Sequence, residues 1–147
     1  NPDMIYVGQK ITIPDTKSLA SYEQQVFELV NKERAARGLA TFKYSNDLAY
    51  VARLKSQDMI NKKYFSHTSP TYGSPFEMME QFGLRFSAAG ENIAYGQKTA
   101  AEVMSAWMNS PGHRANILSS AYTTIGVGVA KAANGTLYWT QMFMNPY

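Results

Sequence analysis

The chain contains no cysteine among its 147 residues. This absence excludes disulfides, thiolate nucleophiles, iron–sulfur clusters and cysteine-ligated zinc sites. No apolar run approaches the roughly 18 to 20 residues that a membrane-spanning helix needs. The formal net charge is only +3 and the basic residues are scattered along the chain, so charge gives no argument for nucleic acid as a partner.

The composition is that of a folded domain. Hydrophobic residues make up 45% and charged residues 17%, which excludes disorder, coiled coil and collagen-like repeats. The length predicts one domain with a sizeable core. The chain begins at Asn1 without a methionine or a signal segment, so we expect that an upstream piece has been removed, and the residues themselves do not reveal the localisation.

The first twenty residues differ in character from the rest. The segment Asn1–Pro14 resembles the C-terminal end of a LysM module, a small cell-wall glycan-binding unit whose last strand often reads like GQKITIP. Fourteen residues are too few to rebuild that module. We therefore predict a LysM-end remnant and a linker (Asp15 to Ala20) over residues 1–20, and a main domain over residues 21–147. The alternative is an ordinary N-terminal strand.

Helix starts are marked by side chains that can cap a first turn. Ser21 and Gln24 form a capping-box pattern that predicts the first helix, which Gly38 ends. Glu102 is best explained as the capping-box partner at the start of a later helix. Further starts are predicted at Ser45 or Asn46, Ser74, Thr99 and Ser110.

The strands are predicted late in the chain. Residues Thr123–Ala130 and Leu137–Met144 flank an Asn-Gly pair, which is a strong hairpin signal. A short third strand around Asn92–Tyr95 would complete a small antiparallel sheet. Helices first and a hairpin last indicate an α+β fold. Glycines at 126 and 128 leave one face of a strand bare for close packing.

Imidazole chemistry would have to use His67 and His113, because the chain has only two histidines. His67 lies in a polar loop. His113 follows a helix start at Ser110, where a helix N-terminus would hold the ring neutral and able to bind a metal. Glu91 precedes the third strand and would need a partner if buried. Local sequence alone favours the plainer interpretation of two surface histidines and an exposed carboxylate.

Five motifs in order change that interpretation. The chain resembles the bacterial branch of the CAP superfamily, the SCP-like extracellular domains related to cysteine-rich secretory proteins, antigen 5 and plant pathogenesis-related proteins. The resemblance runs from about Val26 to the C-terminus, in a style typical of Gram-positive bacteria. It rests on the segments YFSHTSP, GENIAYG, AAEVMSAWMNSPGHRANILS, IGVGVA and YWTQMF.

The resemblance implies a three-layer α-β-α sandwich, with about four to five helices around the sheet, and a cleft. The matching cleft residues here are His67, Glu91 and His113. The fourth position, normally acidic, is Ser110, which can cap a helix but cannot supply a carboxylate. Two imidazoles, His67 and His113, with one carboxylate would suit zinc or another divalent cation.

Three functions follow as expectations. The first is a non-enzymatic module, secreted or in the bacterial cell envelope, that binds a lipid, a wall glycan or a peptide and is tethered to peptidoglycan by an upstream LysM module. The second is a metal-dependent hydrolase with Glu91 as base. The third is a structural interaction domain. Because one carboxylate is missing, Glu91 would have to orient a ligand and accept protons as well, which favours a binding role over an enzyme.

Overall fold

The computed structural model describes residues 15–147, with side chains described from Leu19 onward. The prediction for Asn1–Pro14 lies outside the described residues. Five helices and four strands follow in the order α1 (Asp15–Ala36), β1 (Lys43–Tyr44), α2 (Asn46–Lys62), α3 (Pro75–Gln81), β2 (Phe86–Tyr95), α4 (Ala100–Met108), α5 (Pro111–Ile117), β3 (Thr124–Lys131) and β4 (Leu137–Pro146).

The sheet has the strand order β1-β3-β4-β2. Strands β3 and β4 form the predicted hairpin and β2 pairs antiparallel with β4, but β1 pairs parallel with β3. The sheet is therefore mixed rather than purely antiparallel. Strand β1 has only two residues, too few for an alternating pattern to reveal. Strand β2 also begins at Phe86, six residues before the predicted start at Asn92.

Helices cover both faces of the sheet, so the α+β fold and its three layers are confirmed. On one face, a side chain at Gly126 or Gly128 would collide with the backbone of α2 at Ala49 or Arg53. Helix α2 thus packs against the bare face that was predicted for this strand. The opposite face packs against α1, α4 and α5 through residues such as Val127. A second, methionine-rich core joins α2 and α3 to the sheet.

Several helix starts are confirmed at the level of single hydrogen bonds. The Ser45 hydroxyl accepts from the Leu48 amide, and Thr99 caps α4 by accepting from Glu102. Ser74 and Glu77 form a complete capping box at α3. At the other end of a helix, Gly38 has φ +72°, and the amides of residues 38 and 39 close α1 by bonding back to residues 35 and 34.

The predicted start of the first helix is wrong. Helix α1 begins at Asp15, so the residues Asp15 to Ala20, predicted as a linker, are helical. Ser21 lies inside the helix, where its hydroxyl accepts from the Gln25 side chain at 3.1 Å. Side chains three or four residues apart are neighbours anywhere along a helix, so a capping-box pattern also occurs in helix interiors. Leu19 packs against the core and extends the helix backwards.

Side chains form hydrogen bonds to backbone groups of β3 beyond the short stretch where β3 pairs with β1. The Glu23 carboxylate accepts from the Val129 amide at 3.0 Å and is held by Arg53 through three contacts of 2.8–3.0 Å. The Ser56 hydroxyl donates to the Gly128 carbonyl at 2.9 Å. The bond to Glu23 pairs an edge amide that would otherwise be open, and the bond from Ser56 adds a contact between α2 and the sheet. They also fix α1 and α2 against the sheet that carries the candidate site.

Candidate functional site

One carboxylate of α2 accepts several hydrogen bonds from the loop that carries His67. Asp58 accepts hydrogen bonds from the hydroxyls of Tyr64 at 2.6 Å, Ser69 at 2.6 Å and Thr71 at 3.2 Å. Burial acts to raise the pKa of Asp58, but the three hydrogen bonds outweigh it and the pKa is lowered. Asp58 is therefore held as the anion, and it folds the loop around His67.

A buried lysine of α2 holds the same loop through a backbone carbonyl. Lys55 is 1% exposed, and its ammonium donates to the backbone carbonyl of His67 at 2.9 Å. The ammonium also lies 5.0 Å from the ring centre of Tyr64. Burial lowers the pKa of Lys55, and the charges of Glu91 and Asp58 oppose that shift. Sequence reasoning missed Lys55, although its spacing from Leu48 and the other apolar residues of α2 placed it on the buried helix face.

Glu91 is the buried acid of the site. It comes from β2, and its Oε1 accepts from Nδ1 of His67 at 2.8 Å. The Glu91 side chain is 1% exposed and the His67 side chain 55% exposed. Burial raises the pKa of Glu91, against the hydrogen bond from His67 and the charges of Lys55 and His67. The second oxygen, Oε2, is buried without a hydrogen-bond partner in the described part of the chain.

The second imidazole is held by a hydroxyl. His113 lies in the first turn of α5, and its Nδ1 is 2.8 Å from the Ser110 hydroxyl. Ser110 occupies the N-cap position but makes no capping bond with its side chain, contrary to its predicted role, because the imidazole engages the hydroxyl. The pKa of His113 is lowered, as expected for a ring kept neutral. The causes are burial and the charge of His67 rather than the predicted helix terminus.

Neutral amides anchor the His113 turn to the sheet. The Asn92 side chain donates to the carbonyl of His113 and to Gln141 Oε1, both at 3.0 Å. Asn116 donates to Asn92 Oδ1 at 2.9 Å. Asn92 and Gln141 are fully buried. The alternation of β2 was the available signal, since Asn92 must face the opposite side of the sheet from Glu91.

The structure thus joins the predicted site residues as two pairs, His67 with Glu91 and Ser110 with His113. The pairs are coupled, because the charge of His67 contributes to lowering the pKa of His113. Four grooves of the described molecule are lined by other residues, so the predicted cleft stays a prediction.

Each of the two rings keeps one nitrogen outside the hydrogen bonds of the described residues. Each Nδ1 is engaged, by Glu91 or by Ser110, which leaves Nε2 of His67 and of His113 for a ligand. A carboxylate behind a histidine is the usual support for a metal-binding imidazole. Within residues 15–147, however, no group of three or more His, Asp or Glu side chains is arranged to hold a metal. Two nitrogens suit an open site and not a closed structural one.

Sequence comparison finds relatives in Bacillus subtilis (strain 168). The chain is 53% identical over 127 residues to the uncharacterized protein YkwD, covering 86% of this chain and 48% of that protein. It is 40% identical over 122 residues to the uncharacterized membrane protein YlbC, covering 83% of this chain and 34% of that protein. The chain therefore spans half or less of the length of these relatives. In the described part of this chain, no helix is long and apolar enough to cross a membrane.

Structure comparison agrees with the sequence. An extracellular protein containing a SCP domain from Bacillus anthracis superposes with a TM-score of 0.83 at 33% identity, covering 92% of this chain and 45% of that one. The family model described as CAP, the cysteine-rich secretory protein family, matches residues 27–143. That match covers most of the chain and contains every residue of both pairs. The chain belongs to the CAP family.

Proposed function

We propose that this CAP domain is a non-enzymatic binding module that works outside the cell or at the envelope. Its ligand would be a lipid, a wall glycan or a peptide, and His67 and His113 would hold a divalent cation such as zinc. Likeness to an extracellular SCP-domain protein supports the location. The resemblance of residues 1–14 to a LysM end suggests peptidoglycan as the anchor through an upstream module.

The observation that carries the proposal is the way both imidazoles are fixed. Each ring is bonded through Nδ1, so each has Nε2 left for a ligand. A bound zinc ion would supply Lewis acidity and open coordination positions at these nitrogens. Glu91 would orient His67, and Ser110 would orient His113, without either one coordinating the ion.

The same geometry argues against catalysis by Glu91. A general base must reach the proton that it removes. One oxygen of Glu91 is bonded to His67, and the other is shielded from solvent. Glu91 therefore orients the imidazole of His67. It cannot reach a water molecule on the solvent side of the site.

Zinc titration by calorimetry tests the metal site. Wild type should release heat that is lost in His67→Ala and in His113→Ala. Glu80→Gln, which removes an exposed carboxylate outside the site, is the matched control and should behave as wild type. Equal heats in all four proteins would refute the proposal. Circular dichroism of each variant establishes that it is folded.

A metal-dependent hydrolase is the second candidate, because a buried carboxyl with a raised pKa beside an imidazole is also typical of an acid–base site. Hydrolysis of a casein or ester substrate by this candidate would be abolished by chelator and by Glu91→Gln. Such a result would replace the binding module by the enzyme. Activity that survives both treatments would belong to a contaminant or to another site.

A further inference from the structure

An open groove lies beside the candidate site. It has a volume of about 550 Å³ and runs between the end of α2, the loop before His67 and the β3–β4 hairpin. Four aromatic residues line it: Tyr64, Phe65, Tyr95 and Tyr138. Lys63 and Asn134 stand at its polar rim.

Three of these rings form a continuous ladder on the surface. Phe65 meets Tyr95 edge to face, with ring centres 4.7 Å apart. Tyr95 stacks on Tyr138 at 5.3 Å, with the planes 14° apart, because the two are paired across β2 and β4. Phe65 is 46% exposed and Tyr95 is 50% exposed. Large aromatic side chains left in solvent as one patch mark an interaction surface.

Of the three proposed ligand classes, lipid, glycan and peptide, the chemistry of the ladder favours the glycan. The hydroxyls of Tyr95 and Tyr138 bond to no other described residue. The groove therefore combines flat apolar faces with hydroxyl, amide and ammonium groups at their edges. A pyranose ring has the same distribution, with an apolar C–H face and hydroxyls around its rim. An acyl chain would leave those polar groups without partners.

The groove and the His67–Glu91 pair lie where one extended ligand could contact both. Glu91 and Tyr95 are four residues apart on β2, so they face the same side of the sheet about 13 Å apart. Phe65 precedes His67 by two residues in the same loop. An oligomer that rests on the rings would extend toward His67.

We propose that this groove is an oligosaccharide-binding site in which Tyr95, between Phe65 and Tyr138, is the central stacking platform. The inference names the ligand class of the binding module, and to that extent it rests on the function proposed above. It uses a surface that is separate from the two imidazole nitrogens.

Calorimetry with chitohexaose, a soluble oligomer of N-acetylglucosamine, tests the groove. Tyr95→Ala should weaken binding by about tenfold, the size of one aromatic contact. Tyr95→Phe keeps the ring and should lose less. Tyr50→Ala is the matched control, because Tyr50 is 53% exposed and pairs with another ring, Phe82, but does not line this groove. It should bind as wild type does.

Three results would overturn the inference. They are no binding of chitohexaose by wild type, an equal loss in Tyr50→Ala, and binding of a proline decapeptide or phosphatidylcholine vesicles in place of the sugar with the same dependence on Tyr95. Zinc titration of the same samples separates the two proposals. Failure with the sugar while histidine-dependent zinc binding persists refutes the groove alone, and the reverse refutes the metal site alone.

Discussion

The two imidazoles of the site are held in the same way by opposite kinds of group. Each ring is bonded through Nδ1. Behind His67 stand a buried carboxylate, Glu91, and the charged side chains of Lys55 and Asp58. The turn of His113 is held by a hydroxyl and by neutral amides, chiefly Asn92.

This difference shows that an imidazole can be held through Nδ1 either by charged groups or by neutral ones. Buried charges are costly unless they are paired, and they respond to pH. Neutral amides that satisfy one another carry no charge to titrate. We therefore expect the His67 half to depend on the charge of its supports and the His113 half to depend on packing, with the two halves responding to pH in opposite directions.

The largest effect is expected from Asp58→Ala. The substitution leaves the hydroxyls of Tyr64, Ser69 and Thr71 without their acceptor, and we expect a loss of about 2–4 kcal/mol in the free energy of unfolding. Urea unfolding measures the loss. Because there are only two histidines, NMR can follow each ring. The signal of His67 should move while that of His113 stays, and equal movement of both would break the comparison.

Glu91→Gln tests the charged half by pH. The folded-state pKa of Glu91 is raised above its ordinary value of 4.5, so the folded protein binds the proton more tightly than the unfolded chain does. Stability from this group is therefore full below pH 4.5 and falls as the pH rises through the raised pKa. The free energy of unfolding of wild type minus that of Glu91→Gln should decrease over this range in urea titrations. A flat or rising difference contradicts the assignment.

His113→Gln is expected to give a smaller effect of opposite sign, because His113 is only partly buried. Its folded-state pKa is lowered below 6.5, so the unfolded chain binds the proton more tightly. Stability from the neutral ring is present above pH 6.5 and is lost as the pH falls through the lowered pKa. The same urea series on this variant measures it, and NMR titration of wild type gives the pKa directly. A value above 6.5 would reverse the prediction.

Ser110→Ala should give the smallest effect. It removes one partly exposed hydroxyl from His113, and we expect about 0.5–1 kcal/mol in the free energy of unfolding. Restoring the family's acid with Ser110→Glu is the sharper experiment. A carboxylate beside His113 should raise the pKa of that ring and make the two halves alike. An unchanged pKa would show that position 110 does not face the ring in solution.

Local chemistry made several parts of the fold predictable. Ser45, Ser74 and Thr99 begin helices because each hydroxyl satisfies the amide three residues ahead, which needs no distant contact. Ser21 shows the limit of that logic. Its pattern is equally compatible with a helix interior, and the helix that contains it begins at Asp15.

The sequence predicted the candidate site residues but not the residues that support them. The motif resemblance pointed to His67, Glu91 and His113. Their pairing depends on Lys55, whose ammonium reaches a backbone carbonyl 12 residues away, and on Asn92, which reaches the carbonyl of His113. The residues around a lysine in an apolar stripe, or around an asparagine in a strand, do not indicate its hydrogen-bond partner.

The sequence by itself determined the α+β order of elements, the caps of α2, α3 and α4, the hairpin and the family. The elements, caps and hairpin depend on residues within a few positions of one another, and the family is marked by short motifs in a fixed order. Only the tertiary structure decided which ring faces a charge and which a hydroxyl, that Glu91 is enclosed, and that Phe65, Tyr95 and Tyr138 form one surface. Burial and distance between remote residues set those properties, and neither quantity exists until the layers pack.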